Sequence, residues 1–301
     1  MRALLLHNPT AGTGNPGKAD ILAALTLAGF SARYVSSKDK RAVEEGLNGA
    51  ADLLVVAGGD GTVRHAITHL PDRGRPVALV PLGTANNVPR SLGISGSPHE
   101  LTERWQVERT RSFDTGTITH NGDTAEFTEG FGIGIVADAM LRDKKDKKRD
   151  GAAKLLHGRA LLREALNAAA VLDATVTVDG VAIEGDLLGV EVLNVSFTGP
   201  SLPLAPRADP GDGLLDVICI ARDQRPALAE WIGRPHATPP PVVTHRGHRI
   251  EIAWRNAPSR VDDMAGKSDG EQRATVTLGG APVRIVMPAP DAAVTTREGT
   301  P

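Results

Sequence analysis

The first part of the chain, to about residue 95, alternates short apolar runs with stretches that are apolar on one helical face. The apolar runs predict four β-strands, and the stretches between them predict three helices. An alternation of strand and helix is typical of a parallel sheet covered by helices. The predicted strands span residues 2–7, 32–36, 52–57 and 77–81, and the predicted helices span residues 16–28, 38–50 and 61–69.

Beyond residue 98 the pattern changes to short strands separated by turns, with one helical stretch predicted over residues 132–170. The predicted strands span residues 114–119, 123–129, 175–178, 187–194, 215–220 and 250–254. Strands without intervening helices indicate a β-rich domain. We therefore predict a doubly wound α/β domain over residues 1–115 and a β-rich domain over residues 116–273. The last strands, 274–278 and 283–287, are expected to return to the first domain, followed by a frayed tail over residues 291–301.

The composition narrows the class of protein. With 301 residues, 41% of them apolar, the chain can bury cores for two domains. A formal net charge of -2 argues against a nucleic-acid-binding protein. The single cysteine, Cys219, excludes an intrachain disulfide and a cysteine-based zinc site, and it fits a cytoplasmic location. No apolar stretch approaches the roughly 18 residues of a membrane span, so any membrane contact is expected to be peripheral.

The segment 53–62 joins a predicted buried strand to a loop that suits a phosphate. Its apolar run ends in Gly58, Gly59, Asp60, Gly61 and Thr62. Glycines let the backbone turn sharply and present its N–H groups to an anion, and the following helix adds a favourable N-terminal dipole. Asp60 supplies a carboxylate for Mg²⁺. A tight turn between strand and helix is the alternative interpretation.

Two other strands end in similar loops. Residues 8–14 follow the first strand with small residues and hydroxyls, but without the Gly-Lys-Ser/Thr ending of a Walker loop. Residues 81–87 follow the fourth strand with a glycine, a hydroxyl and two amides. Each loop could be a helix cap and turn. Because the carboxyl ends of parallel strands meet at one edge of a sheet, the three loops are expected to converge on one crevice.

Five segments, in this order, resemble the diacylglycerol kinase catalytic-domain family, which includes bacterial lipid kinases and the sphingosine and ceramide kinases. They are Asn-Pro-Thr-Ala-Gly at 8–12, Gly-Gly-Asp-Gly-Thr at 58–62, Pro-Leu-Gly-Thr-Ala-Asn-Asn at 81–87, Asp-Gly-Leu-Leu-Asp-Val at 212–217 and Asp-Gly-Glu at 269–271. The resemblance covers roughly residues 1–287. The loop at 58–62 is shared with NAD kinases, whereas the loop at 83–84 and the segment 212–217 are more specific.

The resemblance implies a nucleotide-binding domain of phosphofructokinase-like topology, similar to that of NAD kinases, and a C-terminal β-sandwich. ATP and a lipid would meet in the cleft between the two domains. The implied reaction is Mg²⁺-dependent transfer of the γ-phosphoryl group of ATP to a lipid hydroxyl. Such a transfer requires in-line positioning, neutralisation of the phosphate charge and a carboxylate near the attacking hydroxyl.

The resemblance also assigns roles to individual residues. Asp269 would be the general base that receives the hydroxyl proton, and Asp60 and Glu271 would support the magnesium network. A hairpin turn is the alternative interpretation of Asp269 and Gly270. The residues expected at the nucleotide are Asn8, Pro9, Thr10, Gly58, Gly59, Asp60, Gly61, Thr62, Gly83, Thr84, Asn86 and Asn87.

A second metal site is implied by the segment 212–217. Asp212 and Asp216, with the backbone of Leu214, would bind Mg²⁺ away from the chemistry and brace the second domain. The alternative is an Asp-Gly turn that opens the strand beginning at Leu215.

One residue departs from the family pattern. Many bacterial members carry an aspartate where this chain has Asn87, and that aspartate belongs to the magnesium network. An amide oxygen can bind a metal or water but brings no negative charge, so weaker cation binding is expected. A catalytically weak or inactive nucleotide-binding or lipid-binding protein is therefore the main alternative, and an NAD kinase is a further one.

The concentrated basic run at 142–149 fits an electrostatic contact with anionic lipid at the inner face of the membrane, although a solvated helix or loop is the plainer interpretation. The leucines at 155–156, 161–162 and 166 either cover a lipid cavity or pack on the sandwich. The acceptor lipid is not selected by the sequence: diacylglycerol, sphingoid bases, phosphatidylglycerol and isoprenoid alcohols all stay open. The oligomeric state is also open, with a homodimer as one option.

Overall fold

The computed structural model describes residues 1–12, 16–143 and 151–290. Its first domain is a six-stranded sheet in the order β2-β1-β3-β4-β18-β5, in which only β5 runs antiparallel to its neighbour. The strands are β1 (Arg2–His7), β2 (Ser31–Ser36), β3 (Leu53–Gly58), β4 (Val77–Pro81), β5 (Trp105–Phe113) and β18 (Val283–Pro288). The helices are α1 (Lys18–Leu27), α2 (Lys40–Asn48), α3 (Asp60–Thr68), α4 (Asn87–Ser91) and α5 (Pro98–Glu103).

The central strands of this sheet are buried on both faces. All six residues of β3 are buried, and β1 and β4 show the same pattern along most of their length. A strand covered on both faces needs a continuous apolar run, which is what the sequence provides here. The four strands predicted in this part agree with β1 to β4 to within one residue at either end.

The second domain consists of two antiparallel six-stranded sheets packed face to face. Their orders are β10-β9-β14-β17-β6-β7 and β13-β12-β11-β8-β15-β16. The strands are β6 (Gly116–His120), β7 (Asp123–Phe127), β8 (Gly130–Gly134), β9 (Asp173–Val178), β10 (Val181–Ile183), β11 (Leu187–Leu193), β12 (Leu215–Ala221), β13 (Val243–Gly247), β14 (Arg249–Arg255), β15 (Ser259–Val261), β16 (Met264–Gly266) and β17 (Glu271–Leu278). The predicted α/β domain followed by a β-sandwich is confirmed.

Three helices accompany the sandwich: α6 (Ile135–Arg142), α7 (Gly151–Ala168) and α8 (Arg225–Trp231). Along β12, Val217 and Cys219 point into the sandwich core, whereas Ile218 and Ile220 pack in the cluster formed with these helices. Burial raises the pKa of the Cys219 thiol to about 11. Leu161, Leu162 and Leu166 pack in the cluster on the helix side, and Leu161 and Leu162 also line the cleft described below.

Two boundaries differ from the sequence-based expectations. The strand at 271–278 does not return to the first domain, because it pairs with β14 and β6 along its length; only β18 joins the first sheet. The helix predicted from residue 132 begins at Ile135, because the glycine-rich segment 130–134 is the strand β8 at the centre of a sheet. Residues 144–150, which include most of the basic run, and the tail 291–301 lie outside the described residues.

No helix in the described parts of the chain has the length and apolar character needed to cross a bilayer.

A buried ion pair crosses the strand β8. Glu191 on β11 and Arg260 on β15 are both register partners of Gly132 on the strand between them. The Arg260 Nε donates to Glu191 Oε2 at 2.9 Å, and both side chains are about 1% exposed. A Cβ on Gly132 would overlap the Glu191 carboxylate. Glycine is therefore required at position 132, since the two side chains meet directly above it.

We expect Gly132→Ala to lower the free energy of unfolding by about 3–5 kcal/mol, because the added methyl group displaces Glu191 and leaves a buried charge unpaired. Urea unfolding followed by circular dichroism measures this change. Gly266→Ala is the matched control, since its Cβ would meet no atom within 4 Å. Equal stability of the two variants would show that the ion pair tolerates a side chain between its partners.

Candidate active site

The carboxyl ends of the first-domain strands face the second domain across a cleft with a cavity of about 640 Å³. The three predicted loops supply one wall. The opposite wall contains Glu129, Arg260, Asp262 and Asp263, and beyond them lie apolar side chains of α6 and α7. The expected convergence of the loops on one crevice is therefore present, and an apolar surface adjoins it.

The loop after β3 packs closely against the loop after β4. Gly59 precedes α3, and a Cβ on Gly83 would lie 2.6 Å from the Gly59 Cα. A Cβ on Gly58 would be 2.5 Å from the Thr62 hydroxyl. These glycines are required for close approach, which leaves backbone N–H groups at the N-terminus of α3 beside the cavity, where an anion is favoured.

The loop after β1 is tied to the same centre by Asn8. Its Nδ2 lies 3.3 Å from the Thr62 hydroxyl, and its Oδ1 accepts the N–H and hydroxyl of Thr10 at 3.2 and 3.0 Å. Asn8 and Thr10 line the cleft, whereas Pro9 does not. The end of this loop, residues 13–15, lies outside the described part of the chain.

In the third loop, Asn86 shapes the turn while Gly83 and Thr84 line the cleft. The Asn86 Oδ1 accepts the Gly83 N–H at 2.9 Å, and its Nδ2 donates to the Gly83 carbonyl at 2.8 Å. Asn86 has a φ of +49°, a left-handed conformation that asparagine tolerates better than most residues. Its side chain is thus occupied within its own turn.

Three carboxylates lie near one another at the centre of the cleft: Glu129 and Asp262, which are buried, and Asp60, which is half-buried. Asp60 Oδ1 accepts the Val88 N–H at 3.0 Å. Burial raises the pKa of Asp60 and of Asp262, although backbone N–H groups oppose the rise at both. Burial, and then the charges of Asp60 and Asp262, raise the pKa of Glu129 well above its ordinary value. The cluster therefore holds more negative charge than its surroundings stabilise.

Asp262 has an anchoring role. Its Oδ1 accepts the N–H groups of Glu129 and Gly130 at 2.8 and 3.0 Å, and its Oδ2 accepts the Thr128 N–H at 2.9 Å. Arg64 on α3 approaches from the first domain, 3.9 Å from Asp262 Oδ2 and 3.3 Å from Asp263 Oδ1. Asp262 thus fixes the backbone that carries Glu129 and contacts the first domain.

Asn87 joins the two domains at this point. Its Nδ2 donates to Glu129 Oε2 at 2.9 Å and to the Gly199 carbonyl at 3.2 Å. Asn87 is only 2% exposed, and its Oδ1 is buried without a hydrogen-bond partner in the structure. The amide therefore holds Glu129 with its nitrogen and leaves its oxygen unpaired beside the cleft.

Asp269 and Glu271 do not belong to this cleft, which corrects the roles expected from the Asp-Gly-Glu match. Both are exposed and lie where β17 begins, on the other sheet of the sandwich. Glu271 pairs with Arg273 at 2.7 Å and Arg255 at 3.5 Å. Asp269 and Gly270 form the turn before β17, which leads from β16 in one sheet to β17 in the other, and the Gly270 N–H donates to Asn256 Oδ1 at 2.8 Å.

The second predicted metal site contains an arginine. Arg246, the register partner of Asp216, pairs with the Asp212 carboxylate and lies 3.4 Å from Asp216 Oδ2. Asp212 Oδ1 accepts the Leu214 N–H at 3.0 Å. One carboxylate oxygen, Asp216 Oδ1, is buried without a partner. Arg246 thus offsets one of the two negative charges, and the metal role of Asp212, Leu214 and Asp216 stays a prediction.

Among residues 1–12, 16–143 and 151–290, no group of three or more His, Cys, Asp or Glu side chains is arranged to hold a metal ion. Mg²⁺ commonly binds through one or two carboxylates, waters and substrate phosphates instead. Asp60 and the unpaired Asn87 oxygen fit that manner of binding in the cleft.

Sequence reasoning missed Glu129, Asp262, Asp263 and Arg64. Glu129 is the last residue of the strand predicted over residues 123–129, and Asp262 follows a strand of only three residues. The signal available in the sequence is the pair of adjacent acidic residues after the apolar Val261. The literal Asp-Gly-Glu match drew the assignment away from them.

Two family models match the chain. The diacylglycerol kinase catalytic domain matches residues 2–118, and the YegS C-terminal NAD kinase beta sandwich-like domain matches residues 132–290. A protein of Pseudomonas aeruginosa (strain UCBPP-PA14) named "Probable lipid kinase YegS-like" is 33% identical over 228 residues, 73% of this chain and 72% of that protein. A diacylglycerol kinase of Mycobacterium tuberculosis (strain ATCC 25618 / H37Rv) is 28% identical over 235 residues, 74% of each chain. A YegS-like relative from Pseudomonas fluorescens (strain Pf-5) is matched over 62% of its own length, at 32% identity and over 64% of this chain.

Solved structures show the same fold. A diacylglycerol kinase from Bacillus anthracis superposes with a TM-score of 0.68 at 21% identity, covering 96% of this chain and 97% of that one. An NAD kinase from Archaeoglobus fulgidus in complex with ATP superposes with a TM-score of 0.54 at 17% identity, covering 96% of this chain and 94% of that one. At these identities the likeness concerns the fold alone.

We expect Asn87→Asp to destabilise the protein by roughly 1–3 kcal/mol in the absence of divalent cations. The change replaces a donor to Glu129 by a second acceptor within a cluster of carboxylates. Urea unfolding at neutral pH measures the loss.

The double variant Asn87→Asp with Glu129→Gln tests the reason for that loss. A glutamine amide can donate to the new aspartate, so the double variant should recover most of the stability. If Asn87→Asp alone proves as stable as the original chain, the amide of Asn87 does not balance the charge of Glu129.

Proposed function

Because the chain belongs to the diacylglycerol kinase catalytic-domain family, we propose that it transfers the γ-phosphoryl group of ATP to the hydroxyl of a lipid. The observation that supports this proposal most directly is one cleft with three kinds of surface. Phosphate-type loops form one end, carboxylates occupy the middle, and apolar helix faces form the other end. The family match supports the predicted class of kinase phosphotransferase.

The nucleotide phosphates would lie at the glycine loops. Backbone N–H groups of Gly59 to Gly61 and of Thr84 are the donors, with the hydroxyl of Thr10 beside them. The N–H groups of Thr62 and Gly83 already donate to the Gly59 carbonyl and to Asn86 Oδ1. Asn8 and Asn86 keep these loops in place through their side-chain hydrogen bonds. Gly58 and Pro9 contribute to the backbone path rather than to the cleft surface.

The lipid would lie against α6 and α7. Val136, Met140, Leu155, Leu161 and Leu162 line the cleft on this side, and a surface of this kind binds an acyl or alkyl chain. A water-soluble dinucleotide makes no use of such a wall, which favours a lipid over NAD as acceptor. A diacylglycerol-like alcohol is the acceptor class that the cleft and the names of the relatives support.

Magnesium would be held by Asp60 and the Asn87 oxygen with the aid of waters and the nucleotide phosphates. When bound, it would neutralise charge on the phosphates during transfer. Asp60 is suited to this position, since it adjoins the first turn of α3 where those phosphates are expected.

Glu129 would accept the proton of the attacking hydroxyl. No described residue forms a hydrogen bond to its Oε1, whereas both carboxylate oxygens of Asp262 accept backbone N–H groups. Burial, and then the charges of Asp60 and Asp262, raise the pKa of Glu129, which makes its carboxylate a stronger base than an exposed glutamate. Asn87 orients this carboxylate, so the missing aspartate at position 87 is compatible with catalysis. Since ATP and lipid would both be needed, the proposed setting is the inner face of the membrane.

We expect Glu129→Gln to lower kcat for lipid phosphorylation by about 10²-fold or more, the contribution typical of a general base. The measurement is transfer from ATP to a panel of lipid alcohols in mixed micelles with Mg²⁺, with an NAD assay beside it. Nucleotide affinity should stay unchanged, because the phosphate loops are untouched.

Asp269→Asn is the control variant and should keep an activity near that of the unaltered chain, because Asp269 lies outside the cleft. Loss of activity in Asp269→Asn with full activity in Glu129→Gln would reverse the assignment of the base. Phosphorylation of NAD and of no lipid would overturn the proposed function.

A further inference from the structure

Two guanidinium groups and one imidazole form a group near Phe197 beside the cleft. Arg90 lies on α4, three residues after Asn87, with its guanidinium carbon 5.2 Å from the centre of the Phe197 ring. The His236 ring centre is 6.5 Å from that of Phe197. Arg159 lies on α7 and completes the group, which we name the Phe197 cationic cluster: Arg90, Arg159 and His236.

The guanidinium groups of Arg90 and Arg159 have no acidic partner within the described residues. Arg90 forms no side-chain hydrogen bond or ion pair there, and its contact is the aromatic ring. Arg159 donates to the carbonyls of Pro200 and Ser201 at 3.3 and 3.5 Å, both through neutral acceptors. The charges of Arg90 and Arg159 act on each other and no carboxylate of the described residues lies between them, so an anion that bound here would relieve their repulsion.

The electrostatics of the cluster agree with its geometry. Burial, and then the charge of Arg90, lower the pKa of Arg159. Burial lowers the pKa of His236, and the charges of Arg159 and Arg90 lower it further. No carboxylate offsets either shift, so the cluster is a place where added negative charge would be stabilised.

The cluster adjoins the apolar end of the cleft. Gly158, next to Arg159, packs against Pro200, and both residues line the cleft. One turn earlier on the same helix, Leu156 is 63% exposed. If a lipid entered the cleft beside α7, its polar headgroup would therefore lie near these guanidinium groups.

We propose that the Phe197 cationic cluster binds the phosphate of an anionic phospholipid headgroup and so holds the mouth of the cleft against the membrane. Arginine suits this role because its planar fork donates two hydrogen bonds to phosphate oxygens. Stacking on Phe197 fixes one guanidinium, and the two backbone carbonyls fix the other. The inference rests on the proposed function only in taking the membrane as the source of the acceptor lipid.

The test is binding of the full chain to vesicles, without ATP. Neutral phosphatidylcholine vesicles are compared with vesicles that also contain phosphatidylglycerol, by co-sedimentation. The unaltered chain should prefer the anionic vesicles. Arg90→Gln and Arg159→Gln should each weaken that binding about fivefold, and the double variant roughly 30-fold, as expected for about 1 kcal/mol per basic residue.

Arg109→Gln is the charge-matched control. Arg109 is an exposed residue of β5, away from the cluster, and its loss removes the same charge. Unchanged binding in the double variant, or an equal loss with Arg109→Gln, would overturn the proposal. The double variant Arg90→Lys with Arg159→Lys keeps the positive charge but loses the planar guanidinium groups. Its affinity for anionic vesicles should therefore lie between that of the unaltered chain and that of the double glutamine variant.

A separate arm identifies the source of the phosphate. Inorganic phosphate is titrated into the chain by calorimetry and added to the vesicle assay as a competitor. Two results together would assign the cluster to free phosphate and overturn the headgroup role. The heat of phosphate binding would disappear in the double variant, and vesicle binding would be unchanged by the same substitutions. Vesicle binding requires no turnover, so a chain that binds vesicles but phosphorylates no lipid would refute the proposed function alone.

Discussion

The buried guanidinium of Arg260 is the group on which the geometry of the cleft depends. It is 2% exposed, pairs with Glu191 across Gly132, and donates to the Asp262 carbonyl at 2.9 Å. That bond fixes Asp262, whose carboxylate binds the N–H groups of residues 128–130. The backbone held in this way carries Glu129 into the cleft. A single cation thus organises a line of contacts that begins within one sheet of the sandwich and ends at the reacting centre.

The same line of contacts sets one domain against the other. Glu129 receives the amide of Asn87, and Asp262 and Asp263 face Arg64, so each polar bridge joins a side chain near a phosphate loop to one near β8 or β15. Neither domain alone contains both the anion-binding loops and the carboxylates. Because the bridges themselves are charged or strongly polar, a bound cation or nucleotide in the cleft would act on the contacts that hold the domains together. Substrate binding and domain placement are therefore expected to be coupled.

The sequence predicted most accurately what depends on local patterns. Strands such as β3 were predicted correctly because a strand buried on both faces is a continuous apolar run. The loops were predicted because clusters of glycine at strand ends are typical of tight turns and of phosphate-binding loops. The helix predicted from residue 132 was wrong at its start, because the alternate glycines of β8 do not form the continuous apolar run typical of a central strand. The glycine at position 132 leaves room for the ion pair of Arg260 and Glu191, which crosses β8. The sequence-based choice of the general base differs from the proposed one for a related reason. Asp269 matches a short motif, whereas Glu129 becomes functional only through contacts with residues distant in the chain.

The two acidic sites of the molecule show why charge balance is a better guide than the number of carboxylates. At Asp212 and Asp216, the guanidinium of Arg246 on the neighbouring strand pairs with both groups and offsets one of their two charges. In the cleft, Arg260 is already engaged with Glu191 and with backbone, so the charges of Asp60 and Glu129 are left without a full counterion. Burial makes that deficit costly in the empty cleft. A cation that arrived with the nucleotide would reduce this cost, so under the proposed function magnesium and ATP would bind in the cleft together.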